Sequence, residues 1–197
     1  MQRYDFILYS PNNFCNFARK IRKILQVNVK IRIFAPGILH AEIKLPASKS
    51  ISNRALVIQA LSGGTGPIDN VSDCDDSRVV QDALRHMPQV IDIKAAGTAM
   101  RFMTSFLATV SGEHVITGTE RMRNRPIEVL VDALRSLGAD ICYEEKDGFP
   151  PLRIRGRELA GGRISLPGNV SSQYISSLLM VAPTLKNGLV LELTGEV

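Results

Sequence analysis

The sequence predicts an α/β protein built from repeated strand-helix-strand units. Apolar helical segments alternate with short strand-like segments from about residue 29 onward, and this alternation is typical of the α/β class. Several of the helices open at a small or hydroxyl residue and lead through a Gly-containing turn into a strand. With 197 residues, 45% of them hydrophobic, the chain is long enough for one or two compact cores.

Three segments of the chain resemble one another and indicate an internal repeat. They read LPASKSISNRALVIQALSGG, KAAGTAMRFMTSFLATVSGE and LPGNVSSQYISSLLMVAPTLKNG. Superposing them sets Arg54 on Arg101 and Ser50 on Ser171. We interpret the segments as copies of one βαβ-type unit, separated by connections of different length. If the copies pack around a pseudo-symmetric axis, their helix N-termini point the same way.

The first half of the chain shows clear signals for individual elements. KIRIFAP and AEIKLP alternate as strands do, and a helix over about 50–61 ends at the turn signal SGGTGP. The segment SDCDDSRVVQDALRHM predicts a helix with Ser72 or Asp73 as its N-cap. Its acidic residues complement the helix dipole, and we prefer this interpretation to a metal site because no further ligands cluster nearby. Another apolar helix begins near Gly97, and the strand HVITG follows it.

The second half continues the same alternation. NRPIEVLVDALRSLGADICYEE predicts a helix with Pro126 at its first position and a stop at Gly138, followed by a strand. GGRISLPGNVSSQYISSLLMVAP and GLVLELTG then repeat the order of strand, helix and strand.

The net charge of +5 is unevenly distributed along the chain. Residues 1–34 hold seven Lys and Arg against one Asp, whereas residues 35–197 hold 17 Lys and Arg against 18 Asp and Glu. A nucleic-acid-binding domain normally carries its basic excess on the folded body, so the near-neutral body argues against that class. We interpret residues 1–28 as a loosely ordered basic extension; a nucleic-acid arm or an amphipathic membrane-surface helix are the alternatives.

Composition also indicates the compartment. No apolar run approaches the roughly 18 residues that a membrane helix needs, and no signal-peptide pattern is present. The three cysteines, Cys15, Cys74 and Cys142, are odd in number and lack C-x-x-C spacing. They indicate reduced thiols rather than disulfides or a zinc site. We therefore expect a cytoplasmic protein without a metal.

Cations at several helix N-termini point to a ligand. A helix N-terminus has unpaired N–H groups and a partial positive charge, so a nearby cation costs roughly 0.3–1 kcal/mol unless an anion arrives. At any single terminus a hydroxyl is more often a cap, and an Arg often pairs with a distant carboxylate. Repetition over several termini nevertheless predicts a ligand with several negative groups. The residues concerned are Lys49, Ser50, Arg54, Arg101, Arg125, Ser171, Ser172 and Gln173.

Five blocks of the sequence also occur in the order found in one enzyme family. They are LPASKSISNRAL, SDCDD, AAGTAMR, RMRNRPI and GNVSSQYISSLLM. These blocks resemble the signatures of the 5-enolpyruvylshikimate-3-phosphate synthases, also called 3-phosphoshikimate 1-carboxyvinyltransferases. The resemblance covers about residues 29–197 and implies one half of an inside-out α/β barrel of the enolpyruvyl transferase type.

The resemblance implies a reaction and a set of binding residues. The family transfers the enolpyruvyl group from phosphoenolpyruvate to the 5-hydroxyl of shikimate 3-phosphate and releases phosphate, without a metal or organic cofactor. Matching positions assign shikimate 3-phosphate to Lys49, Ser50, Arg54, Ser171, Ser172 and Gln173. They assign phosphoenolpyruvate to Lys49, Gly97, Arg125 and Gln173, with Gly97 allowing close approach of the backbone.

The resemblance also implies that the chain is partial. Family members are roughly twice as long, and their second half carries the carboxylates expected to transfer protons. We therefore expect residues 29–197 to be a truncated N-terminal domain that lacks the C-terminal domain, needs that domain in cis or in trans, and is inactive alone. We expect full-length members to be monomers that bind neither nucleic acid nor membranes.

Two alternative functions remain open from the sequence. A UDP-N-acetylglucosamine enolpyruvyl transferase shares the fold, but its usual Lys-Asn pair and its loop cysteine before Arg-Pro are missing, since Ser50 follows Lys49 and TERMRNRP contains no Cys. A non-catalytic, repeat-built RNA-binding module would depend on residues 1–34 for its affinity.

Overall fold

The computed structural model describes Glu42 and residues 44–195. The chain divides into two compact units, Met1–Pro46 and Ala47–Val197. In the first unit, Glu42 and residues 44–46 have no regular secondary structure, so the strand predicted over AEIKLP is not seen there. The strand predicted over KIRIFAP and the basic extension over residues 1–28 lie outside the described residues.

The described part of the second unit alternates helices and strands. Helices α1 to α6 are Lys49–Leu61, Asp75–His86, Gly97–Thr109, Glu120–Arg123, Glu128–Ser136 and Ser172–Val181. Strands β1 to β6 are Val90–Asp92, Gly112–Thr117, Asp140–Tyr143, Leu152–Gly156, Gly162–Pro167 and Leu189–Thr194. A short 3₁₀ helix over Ala182–Thr184 follows α6. None of these helices is long and apolar enough to cross a membrane.

The strands form two sheets. The four-stranded sheet has the order β1-β2-β4-β3, in which β1 and β2 are parallel and the remaining pairs are antiparallel. Strands β5 and β6 form a separate parallel pair. Two βαβ units result, β1-α3-β2 and β5-α6-β6, and each parallel pair is joined through a helix. The α/β class predicted from the alternation is confirmed.

Helix α3 lies at the centre of the core. Eleven of its thirteen residues are buried, and the largest fully buried side chains include Phe102, Met100 and Met103. Such a helix, apolar on nearly every face, must be surrounded by other elements. Helices α1, α2, α5 and α6 and the four-stranded sheet pack around it. This packing brings α3 into contact with α1 and α6, the helices that carry several of the other predicted binding residues.

Two predicted helix starts are wrong, and both differ because of tertiary hydrogen bonds. The N-cap of α2 is Cys74 rather than Ser72 or Asp73. The Ser72 N–H donates to Ser52 Oγ at 2.8 Å, which ties this residue to α1. Helix α5 begins at Glu128, with Ile127 as its N-cap, and not at Pro126, because the Pro126 carbonyl accepts from Arg101 Nη2 at 3.0 Å and from the Tyr174 hydroxyl at 2.8 Å.

Candidate anion-binding site at helix N-termini

Helices α3 and α6 lie side by side and run in the same direction. Near their starts, Gln173 Nε2 donates to Thr98 Oγ1 at 3.2 Å, which joins the second residues of the two helices. One turn further on, Ser177 Oγ donates to the Arg101 carbonyl at 2.7 Å and lies 2.6 Å from Ser105 Oγ. Contacts at matching depth in both helices show that their N-termini lie together. The shared direction predicted from the internal repeat is therefore found for this pair.

The two N-termini differ in their capping. Ser171 is the N-cap of α6, and its hydroxyl accepts from the Gln173 N–H at 3.3 Å. Ala96 is the N-cap of α3 and has no side chain that could accept a hydrogen bond. The N–H groups in the first turn of α3, beginning at Gly97, are consequently not satisfied by a capping side chain. Ser172 is exposed at the start of α6.

The side chain of Arg125 lies against the start of α3. A Cβ placed at position 97 would overlap a terminal nitrogen of Arg125 and lie 3.1 Å from its Cζ. Only a glycine therefore leaves room for this guanidinium at the helix terminus. The helix dipole disfavours a cation here by roughly 0.3–1 kcal/mol. The site thus has two adjacent positive groups, a helix N-terminus and a guanidinium, that an anion would neutralise together.

Helix α1 meets the same cluster of helices through Arg54. Its guanidinium donates to the Ser50 carbonyl at 3.1 Å and to Ser176 Oγ of α6 at 3.2 Å. It also lies over the ring of Phe102 in α3, with Cζ 5.5 Å from the ring centroid. Because the side chain reaches back along α1, its charge lies beside the first turn of that helix. Arg54 is thus in contact with both neighbouring helices.

Lys49 has a carboxylate partner that the sequence analysis missed. Its Nζ lies 3.0 Å from Asp76 Oδ2 in the first turn of α2, and the two side chains are 47% and 26% exposed. From the sequence, the acidic run SDCDD predicts only a complement to the helix dipole. The hydroxyl of Ser48 caps α1 and accepts from the Ile51 N–H at 3.4 Å. Ser50 is exposed at this terminus.

The expectation that Arg101 offers its charge to a ligand is wrong. Only 4% of the residue is exposed, and its guanidinium donates to the Gly97 carbonyl at 3.2 Å and the Pro126 carbonyl at 3.0 Å. Burial lowers the pKa of Arg101. The predicted equivalence to Arg54 nevertheless has a structural counterpart, because each arginine donates from Nη1 to the carbonyl four residues before it.

The structure brings most of the predicted residues to one group of helices. Gly97 and Arg125 are in contact, and Gln173 joins the start of α6 to the start of α3. Arg54 joins α1 to α6, whereas the ion pair of Lys49 is directed to α2. Three helix N-termini of a repeated α/β fold, with basic and hydroxyl side chains around them, define a site suited to a metabolite that carries several anionic groups.

Comparison with known proteins identifies the family. The model of the family described as EPSP synthase (3-phosphoshikimate 1-carboxyvinyltransferase) matches residues 34–91 and 86–197. A 3-phosphoshikimate 1-carboxyvinyltransferase of Bacteroides fragilis is 63% identical over 163 residues, which are 83% of this chain and 40% of that protein. One from Haemophilus influenzae is 39% identical over 196 residues, covering 85% of this chain and 45% of the relative. The chain belongs to the EPSP synthase family.

A solved structure agrees with this assignment. EPSP synthase from Acinetobacter baumannii superposes with a TM-score of 0.65 at 25% identity, over 73% of this chain and 38% of that one. The resemblance stated from the motifs and the enolpyruvyl transferase type of fold are confirmed. The match favours this family over the UDP-N-acetylglucosamine transferases considered above. The chain spans about 40% of the length of the Bacteroides fragilis relative.

Proposed function

We propose that this chain binds shikimate 3-phosphate and part of phosphoenolpyruvate for a 3-phosphoshikimate 1-carboxyvinyltransferase reaction. In that reaction the 5-hydroxyl oxygen of shikimate 3-phosphate bonds to the phosphate-bearing carbon of phosphoenolpyruvate while the methylene carbon takes up a proton. Loss of phosphate and of a proton from the resulting methyl group then restores the double bond. Both substrates carry phosphate and carboxylate groups, which match the basic and hydroxyl side chains around the helix N-termini. The observation that carries the proposal is the guanidinium of Arg125 against Gly97 at the uncapped start of α3.

We assign the two ligands to different parts of the site. Phosphoenolpyruvate would lie at the start of α3, where Gly97 and Arg125 meet and where Gln173 is within reach through its contact with Thr98. Shikimate 3-phosphate would lie between α1 and α6. There it would contact Ser50, Arg54, Ser171, Ser172 and Gln173. Lys49 would contact both ligands.

For Lys49, ligand binding would compete with the ion pair to Asp76. This pair is partly exposed, and exposed pairs contribute roughly 0–1 kcal/mol, so a phosphate could draw the ammonium away at little cost. We therefore include Lys49 in the binding site although its partner in the structure is an acid.

Calorimetric titration tests the assignment. We expect shikimate 3-phosphate to bind the chain, and Lys49→Ala to weaken it. In the presence of shikimate 3-phosphate, Arg125→Ala should weaken phosphoenolpyruvate while leaving shikimate 3-phosphate nearly unchanged. Arg121→Ala removes an exposed arginine from the neighbouring helix α4 and serves as a matched control. Failure of the unaltered chain to bind shikimate 3-phosphate would overturn the proposal.

Catalytic turnover is a separate question from ligand binding, and the family resemblance predicts that it needs residues beyond those of this chain. The carboxylates that transfer protons in the family are expected in the part of its sequence that this chain does not span. We therefore propose that a C-terminal domain, in cis or in trans, completes the enzyme, which would work as a monomer in the cytoplasm. The chain alone should release no phosphate from phosphoenolpyruvate and shikimate 3-phosphate, and measurable product would contradict this expectation.

A further inference from the structure

Arg101 is a buried cation whose polar contacts are unusual. The groups around its guanidinium are the carbonyls of Gly97 and Pro126, the sulfur of Met122 at 3.6 Å and the ring of Tyr174, whose centroid lies 5.8 Å from Cζ. None of these groups is a carboxylate, and burial of a charge is costly unless it is paired and hydrogen-bonded. This cost indicates that the side chain has a task beyond filling space in the core.

The guanidinium of Arg101 and the hydroxyl of Tyr174 donate to the same carbonyl oxygen. Arg101 Nη2 donates to the Pro126 carbonyl at 3.0 Å, and the Tyr174 hydroxyl donates to the same oxygen at 2.8 Å. Arg101 lies on α3 and Tyr174 lies on α6. The two helices whose N-termini form the candidate site therefore both hold the carbonyl of Pro126, the residue that follows Arg125.

The rest of the turn is fixed on both sides of Arg125. Upstream, the Arg125 N–H donates to the Met122 carbonyl at 3.0 Å. Downstream, the Ile127 N–H donates to the Gly148 carbonyl at 2.9 Å. Pro126 has no N–H of its own, so its carbonyl is its main-chain hydrogen-bonding group. Loss of the bonds to that carbonyl would leave the turn held at Met122 and Gly148.

We infer that Arg101 and Tyr174 are positioning residues that fix the Pro126 carbonyl and thereby hold the Arg125 guanidinium against the start of α3. The inference rests on the proposed function in that Arg125 is taken to bind phosphoenolpyruvate. In this arrangement neither Arg101 nor Tyr174 touches the ligand. Their removal loosens Arg125 and weakens phosphoenolpyruvate, whereas shikimate 3-phosphate, bound between α1 and α6, is unaffected.

The first test uses Tyr174→Phe, which keeps the ring beside Arg101 and removes one hydrogen bond. The readout in the ligand-free chain is the ¹⁵N relaxation of the Arg125 Nε–H group, which reports the order of its guanidinium. We expect the order parameter to fall in the variant. We also expect phosphoenolpyruvate to bind about fivefold more weakly, the effect of one neutral hydrogen bond, with shikimate 3-phosphate within twofold of its original affinity.

Tyr143→Phe is the matched control. The Tyr143 hydroxyl is also buried, but it has no hydrogen-bond partner in the described part of the chain. Its removal should leave the order of Arg125 and both affinities unchanged. If Tyr143→Phe changes the order of Arg125 and the phosphoenolpyruvate affinity as Tyr174→Phe does, the inference is overturned.

Arg101→Lys tests whether the planar geometry of the guanidinium is needed or only its positive charge. Lysine keeps the buried charge but presents a single ammonium in place of a planar fork, and we expect it to hold the Pro126 carbonyl poorly. Phosphoenolpyruvate affinity should fall about tenfold or more, the effect of losing one hydrogen bond from a charged donor. If Arg101→Lys and Tyr174→Phe both leave Arg125 ordered, the inference is wrong. An equal loss of both ligands would show a general structural role and also overturn it.

The two proposals fail in distinguishable ways. If the unaltered chain binds neither ligand, the proposed function is wrong, while the order of Arg125 still decides the role of Arg101 and Tyr174. If both ligands bind and Arg125 keeps its order in both variants, the proposed function stands and this inference falls.

Discussion

Replacement of Gly97 by alanine should separate ligand binding from stability. The added Cβ would overlap a terminal nitrogen of Arg125 and lie 3.1 Å from its Cζ, whereas ordinary carbon contacts are about 3.5–4.0 Å. The guanidinium must therefore retreat by roughly 1 Å or more. A shift of this size breaks a charge-assisted hydrogen bond, which contributes roughly 1.5–3 kcal/mol. Phosphoenolpyruvate affinity should consequently fall about 10- to 150-fold.

The stability of the fold should change in the opposite direction. The atoms that meet the new methyl group lie at the end of the exposed Arg125 side chain, which can rotate away into solvent, so the backbone need not move. Gly97 has an ordinary backbone conformation in the first turn of α3, where alanine is favoured over glycine. Reduced entropy of the unfolded chain should add roughly 0.4–1 kcal/mol to the free energy of unfolding.

The assay is calorimetric titration of phosphoenolpyruvate in the presence of shikimate 3-phosphate, together with urea unfolding. Gly66→Ala is the matched control, because a Cβ at that position meets no atom within 4 Å. If phosphoenolpyruvate binds Gly97→Ala as tightly as the unaltered chain, the missing side chain at position 97 does not serve to make room for the Arg125 guanidinium. A loss of more than about 2 kcal/mol of stability would show that the glycine serves the fold instead.

Three further changes have expected outcomes. Arg54→Ala should weaken shikimate 3-phosphate about 10- to 100-fold by calorimetry, whereas Arg121→Ala should not. Ser177→Ala should lower the free energy of unfolding in urea by about 1–2 kcal/mol, since it removes the buried contacts of Ser177 Oγ with the Arg101 carbonyl and Ser105 Oγ; no change would contradict this. The bond from Lys94 holds the pKa of Asp92 below its usual range, so stability from Asp92 is lost as pH falls below about 4. In Lys94→Met that loss should be smaller, because the pKa of Asp92 in the folded protein moves towards its unfolded value, seen as an upward shift of the Asp92 carboxyl titration by ¹³C NMR.

The sequence predicted the helices well where their signals are local. Helix α3 begins at Gly97 as predicted, and α5 ends just before Gly138, whose φ of +103° suits the residue after a helix. The parallel pairing of the strands around α3 and α6 follows from the βαβ alternation. Such signals lie within a few residues of the feature that they determine, so one sequence is enough to interpret them.

The errors concern groups whose partners are distant in the chain. The Pro126 carbonyl is held by Tyr174, 48 residues away, so its role is invisible to a capping rule. The same holds for the pair of Lys49 and Asp76, which are 27 residues apart. The alignment of Arg101 with Arg54 in the internal repeat predicts a ligand-binding cation at position 101. Only the packing of α6 against α3 shows that its side chain is buried.

The proposed function requires the N-termini of α1, α3 and α6 to bind shikimate 3-phosphate and phosphoenolpyruvate together. The most direct measurement is a ¹⁵N–¹H NMR titration of the chain with both ligands. We expect the largest amide shifts at Ser50, Thr98, Ser172 and Gln173, and we expect these shifts to saturate together. Shifts confined to other parts of the chain, or no saturable shift at these four amides, would contradict the proposed function.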